Sequence, residues 1–172
     1  MVGQHHVAPP RAGASLYAAL LLLACACSSP APRAPDPDAA FRAQLGRDWA
    51  LVRLGDRAIP PPPGTRTSAY GDPVPGQRPT IRFAAAPAGA GGRTFCNGYG
   101  GPYVQRGDSL RFEHIESSAV GCDGPDSLET RFHRALLGTR RFELDSARLV
   151  LVAADGTRLT FAPASAAEIG PR

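Results

Sequence analysis

At 172 residues, 43% hydrophobic and 20% charged, the chain has the ordinary composition of a folded protein and room for one domain with appendages. Its formal charge of +4 arises from 19 basic residues, every one an arginine, against 15 acidic ones. The arginines are scattered among acids along the chain and form no basic run, which argues against a nucleic-acid partner.

The N-terminus carries Arg11 followed by SLYAALLLLA over residues 15–24. A positive residue, an apolar run of about ten residues and a small residue at its end make up a secretory signal. The run is too short to cross a hydrocarbon core of ~30 Å as a helix. Leu22-Leu23-Ala24-Cys25 resembles the bacterial lipobox, which implies cleavage after residue 24 and diacylation of Cys25. Cys27 is the alternative site, with Ala24 as a poorer leading residue. Two or more acyl chains anchor a protein stably where one does not. Residues 1–24 are therefore expected to be a lipoprotein-type signal peptide. Residues 25–40, with SSPAPRAPDPDAA at 28–40, are expected to be the lipidated N-terminus and a proline-rich tether unable to bury enough apolar surface to fold. The domain is expected over 41–163, with a flexible tail at 164–172.

Within that domain, residues 49–54 (WALVRL) alternate as a first strand, which Gly55 ends. Residues 59–79 are so rich in proline that a long surface loop is expected, because proline donates nothing to a ladder. Strand character returns at 80–83 (TIRF), and 84–92 (AAAPAGAGG) read as a flexible connector. Tyr103-Val104 and residues 109–112 (SLRF) flank a turn at Arg106-Gly107-Asp108 and form a hairpin. Asp126 and Glu129 then stand at capping-box spacing, and Leu128, Phe132, Ala135 and Leu136 make one apolar helical stripe that Gly138 stops. Residues 141–144, 148–152 and 157–161 complete the strands, the last two joined by an Asp155-Gly156 turn. The expected fold is α+β and mostly antiparallel: a small curved sheet or partial barrel of about seven strands with one helix packed on it.

Cys96 and Cys122 are left to the domain, and in an exported chain two such cysteines usually pair. Their separation (122 − 96 = 26 residues) gives a bridge a stabilisation of ~3–4 kcal/mol on the chain-entropy account, provided the two Cα atoms approach closely enough. Two weaker readings compete. Cys96 as a nucleophile requires His114 or His133 as its base, and a disulfide removes the thiol altogether. Zinc on Cys96, His114, Cys122 and His133 lacks the close ligand pairs of structural zinc sites. Gly98, Gly100 and Gly101 precede no Gly-Lys-Ser/Thr and open no helix, so they form no phosphate loop. They are expected instead to supply positive φ in a tight connection. No metal, cofactor or catalytic constellation is expected.

The stretch FCNGYGGPY at 95–103 resembles the GCNxxxGxY signature of META domains, the family that includes HslJ-like heat-shock proteins. Leu110-x-Phe112, then Ile115 through Ser117, Ser118 and Cys122, are similar to a second stretch of that family, and Glu129-x-x-Phe132-x-x-Ala135-Leu136 to its helix. The motif positions are Cys96, Asn97, Gly101, Tyr103, Ser118, Cys122, Glu129 and Phe132. Departures occur at Phe95, Gly98, Ser118 and Val120-Gly121, and the proline-rich loop looks like an insertion. The resemblance implies a small exported or lipid-anchored domain associated with envelope stress, with no established catalytic residue. The expected function is non-enzymatic: an anchored bacterial envelope protein, outer-membrane and periplasm-facing in a Gram-negative host, binding an envelope protein, peptide or lipid. The alternative is a small inhibitor or chaperone of an envelope enzyme or secretion component.

Overall fold

The computed structural model describes Gly3 and residues 36–61, 65–67, 73–75, 78–118, 127–145 and 147–169. Its elements run α1 (Pro37–Arg42), β1 (Asp48–Leu54), β2 (Arg57–Ala58), β3 (Thr65–Thr67), β4 (Pro73–Pro75), β5 (Thr80–Ala85), β6 (Ala88–Arg93), β7 (Gly98–Arg106), β8 (Ser109–Phe112), β9 (Glu116–Ser117), α2 (Leu128–Gly138), β10 (Thr139–Leu144), β11 (Leu149–Ala153), β12 (Arg158–Pro163) and α3 (Ala166–Ile169). The pairs β1–β5, β5–β6, β6–β7, β7–β8, β8–β10, β10–β11 and β11–β12 are all antiparallel, and β12 returns to pair with β1. The result is a closed eight-strand meander, with β2 added beside β1 and β9 beside β7. β3 and β4 form a separate small hairpin inside the proline-rich stretch. Closure leaves the barrel strands without free edges, which is how antiparallel sheets avoid edge pairing with other chains.

Alternation places one side chain in two inside. Trp49, Leu51, Ile81, Phe83, Leu110, Leu151, Leu159 and Phe161 are each at most 1% exposed and fill the interior, as expected of a barrel with this strand number. Because neighbouring strands run oppositely, β1, β6, β8 and β11 end at the same rim where β5, β7, β10 and β12 begin. α2 lies at that rim, contacting β8, β11 and β12 and sending Phe132 inward, fully buried, against Tyr99. α1 takes the opposite rim. Its Phe41 ring meets Phe83, Tyr103 and Phe142 at centroid distances of 5.0, 5.7 and 5.1 Å.

Several expectations change here. The sheet is a closed barrel rather than an open or partial one, and the described residues hold three helices rather than one. Of residues 84–92, expected as connector, the first two end β5 and 88–92 lie in β6, because their glycines and alanines accept the extended conformation that the neighbouring strands impose. Residues 36–40, assigned by composition to the tether, enter the domain. Asp36 caps α1 by accepting from the Asp38 N–H, Pro37 opens the helix, and Asp38 accepts from Gln105 Nε2 and the Gly107 N–H at 2.7 and 2.8 Å. The expected tail includes α3, whose Glu168 pairs with Arg78 at 2.5 Å. Asp126 lies outside the described residues, and the α2 cap is Ser127, which accepts from the Thr130 N–H at 3.2 Å. No helix among the described residues is long and apolar enough to cross a membrane.

Candidate functional site

The signature stretch divides into a turn and a strand. The Thr94 N–H donates to the Asn97 carbonyl at 2.7 Å, and the Asn97 N–H returns to Thr94 Oγ1 at 2.7 Å. The Cys96 N–H also points at that hydroxyl, at 3.2 Å. Thr94 thus closes the connection between β6 and β7 with its own side chain, a local bond that serine, threonine and asparagine make readily. From Gly98 onward the backbone is extended as β7.

The glycines therefore act differently from expectation. Positive φ occurs at Gly46, Gly55, Gly107 and Gly156, not at Gly98, Gly100 or Gly101. Gly101 is needed for close approach, since a Cβ there would overlap the His114 carbonyl oxygen where the chain leaving β8 crosses it.

Glu129, in the first turn of α2, reaches the turn from across the rim. Its Oε1 accepts from the Thr94 hydroxyl at 2.5 Å and from Asn97 Nδ2 at 3.2 Å. Ser118 Oγ donates to Asn97 Oδ1 at 3.0 Å and accepts from the Gly98 N–H at 3.2 Å. His133, one turn along α2, holds Nε2 3.5 Å from Glu129 Oε1 and sets its ring against Tyr99 and Phe132. His133 is largely covered, with 21% of its side chain exposed, although its place beside Phe132 and off the apolar stripe of α2 predicts a water-facing side chain. Glu129 Oε2 is buried without a hydrogen-bond partner among the described residues.

The turn therefore joins Asn97, Ser118 and Glu129 of the predicted motif and sets Phe132 beneath it. Phe132 packs on both Phe95 and Tyr99. Tyr103 stands apart, nearer the α1 rim, donating its hydroxyl to the Ala84 carbonyl at 3.0 Å. The Tyr99 hydroxyl donates to the Thr80 carbonyl at 2.8 Å, and burial pushes its pKa far above the ordinary phenol range. Thr94 was missed from sequence, although its spacing to Asn97, with a glycine following, is a side-chain-closed turn signal.

Cys96 is disulfide-bonded; Cys25, Cys27 and Cys122 lie outside the described residues. Among the described residues no cluster of three or more His, Cys, Asp or Glu side chains is placed to hold a metal ion. Chemically, the arrangement ties one turn to one helix. Asn97, Ser118 and Glu129 are linked to one another, and the carboxyl sits against Thr94, Asn97 and His133.

The family model for the META domain matches residues 43–166, most of the chain. The chain belongs to the META domain family. No curated protein matches it. Among solved structures it is similar to a protein from Burkholderia xenovorans determined by NMR, at 25% identity and a TM-score of 0.55, covering 77% of this chain and 92% of that one. A second NMR structure, 15% identical with a TM-score of 0.52, covers 71% of this chain and 92% of its own, a likeness of fold. Within the META match, Gly101, Asn97, Ser118, Glu129 and Phe132 have local structural explanations: one close backbone approach, three linked polar groups and one rim-filling ring.

Proposed function

We propose that this META-domain chain is a non-enzymatic, lipid-anchored protein of the bacterial cell envelope, acting in envelope integrity or stress tolerance by binding a partner. The observation that carries the non-enzymatic reading is the engagement of Thr94, Asn97, Ser118 and Glu129 with one another. An active site needs polar groups aimed at a substrate, whereas these are aimed at the fold. Binding is then a matter for the outer face of the barrel. The anchoring reading rests on the residues before the domain: Cys25 carries the acyl chains, with Cys27 as the alternative, and in a Gram-negative host the domain faces the periplasm from the outer membrane. Cys96 pairs with Cys122, the other domain cysteine.

Metabolic labelling with palmitate in the native host tests the anchor. Label should enter the wild-type chain and be lost in Cys25→Ser; label that persists there and disappears in Cys27→Ser moves the site, and an unlabelled wild type ends the reading. Thiol titration of the denatured, unreduced protein should find neither Cys96 nor Cys122 reactive. In-cell crosslinking of the anchored protein, followed by recovery of its adducts, identifies the partner.

A further inference from the structure

The scattered arginines of the sequence gather once the barrel closes. Register places Arg106 opposite Ser109, Ser109 opposite Arg141, Arg141 opposite Val152, and Val152 opposite Arg158. These residues form one row across five adjacent strands, β7, β8, β10, β11 and β12, on the outer face. Arg111 stands in the next row, opposite Val104. The arginines are exposed, while Val152, between Arg141 and Arg158 in the row, is buried at 7%. Along these strands Glu143 is the single carboxylate, held between Arg141 and Arg158 at 2.6 and 2.5 Å. Arg106 and Arg111 make no ion pair among the described residues. With Val104 and Ser109 they line a surface depression of about 340 Å³.

The position of this depression matters as much as its charge. The incoming chain joins the barrel where Asp38 accepts from the Gly107 N–H, next in sequence to Arg106. Eleven residue steps separate Cys25 from Asp36 (36 − 25), a reach of at most about 40 Å when fully extended. A domain tethered at this rim can therefore bring the basic face onto the surface that holds its anchor.

From this the geometry points to the β7–β8 face, centred on Arg106 and Arg111, as a docking surface for the anionic phosphodiester headgroups of the membrane to which the chain is tethered. The choice of a membrane rests on the anchoring reading; the basic face stands without it. Two guanidinium groups flanking an open depression suit a phosphate, which accepts hydrogen bonds from their planar forks. Each arginine near an anionic surface adds severalfold to partitioning, and salt screens the attraction.

The test uses the full chain carrying Cys25→Ser and Cys27→Ser, so that no acyl chain contributes. Co-sedimentation is compared between vesicles of phosphatidylcholine alone and vesicles with one-third phosphatidylglycerol. The apolar leader contributes equally to every variant, so the ratio between vesicle types isolates the charge. Arg106→Gln/Arg111→Gln should lower that ratio about 10- to 30-fold, and Arg106→Glu/Arg111→Glu further. The Arg53→Gln/Arg93→Gln pair, also exposed and on β1 and β6, should lower it much less. Circular dichroism and melting temperature establish that each variant is folded, and the milder glutamine pair serves if the glutamates disturb the barrel. An equal loss in both glutamine pairs would mean net charge alone and overturn the assigned face. So would a wild-type ratio near one, or displacement by inorganic phosphate beyond that by chloride at equal ionic strength, which points to a soluble phosphate instead. Wild-type protein that takes up palmitate yet shows no headgroup preference would leave the anchor standing and the docking face refuted.

Discussion

The Thr94 hydroxyl donates to Glu129 Oε1 at 2.5 Å, across 35 residues of sequence, and so fastens the β6–β7 turn to the first turn of α2. The same Thr94 oxygen accepts from the N–H groups of Cys96 and Asn97, so one side chain both shapes the turn and ties it to the helix.

Thr94→Val preserves shape and removes these bonds. It removes the Thr94 acceptor from the Cys96 and Asn97 N–H groups and leaves Glu129 Oε1 only the longer bond from Asn97 Nδ2, a cost of about 1–3 kcal/mol. Urea denaturation should show a lower midpoint with an unchanged slope. A double-mutant cycle with Glu129→Gln should give a non-additive coupling of about 1 kcal/mol or more; additivity would mean that the bond carries no stability.

Gly101 and Gly100 are neighbours in β7 with opposite tolerance. A Cβ on Gly101 overlaps the His114 carbonyl, whereas one on Gly100 meets the Ala90 carbonyl oxygen at 3.6 Å, an ordinary contact. Gly101→Ala must displace the backbone around His114 and should cost about 2–4 kcal/mol, against less than about 1 kcal/mol for Gly100→Ala. Thermal melts of the two variants check the contrast, and equal losses would remove close approach as the reason for Gly101.

Phe41 lies ahead of the META match at 43–166, yet it is 3% exposed and fills the α1 rim. Phe41→Ala should destabilise by about 3–5 kcal/mol. Chains beginning at residue 36 and at residue 43 should differ by a comparable amount in chemical denaturation. Matching stabilities would return α1 to the tether.

What was legible in the sequence follows from which residues carry their own signal. The strand at 49–54, the 109–112 hairpin arm and the Asp155-Gly156 turn show alternation or turn chemistry locally, and α2 shows a clean stripe from Leu128 to Leu136. β6 does not, because AGAGGR has neither period nor propensity, and its extended form comes from pairing on both sides. Barrel closure hangs on β12 meeting β1, a pairing between chain segments that no local pattern encodes. The spacing of Glu129 from Asp126 suits a capping partner, whereas its bonds to Thr94 and Asn97 are tertiary. Asp36-Pro37 did carry a helix-start signal, hidden within a proline-rich stretch.

Acid should weaken the C-terminal closure. Burial opposes ionisation of Glu168, but hydrogen bonds from Arg78 and Ser165 overcome it and hold its pKa below the usual value of 4.5. A carboxyl with a depressed folded-state pKa favours folding above its unfolded pKa, and that contribution is lost as pH falls through the folded value. The Arg78–Glu168 pair, with 13% and 11% of the two side chains exposed, ties α3 to the segment before β5. Glu168→Gln should therefore cost about 1–3 kcal/mol at neutral pH, with the gap to wild type closing progressively below pH 4.5. Urea midpoints measured from neutral pH down to acid, for both proteins, read this directly. A gap that is constant with pH would mean that Glu168 contributes through shape alone, without the charge that pairs it to Arg78.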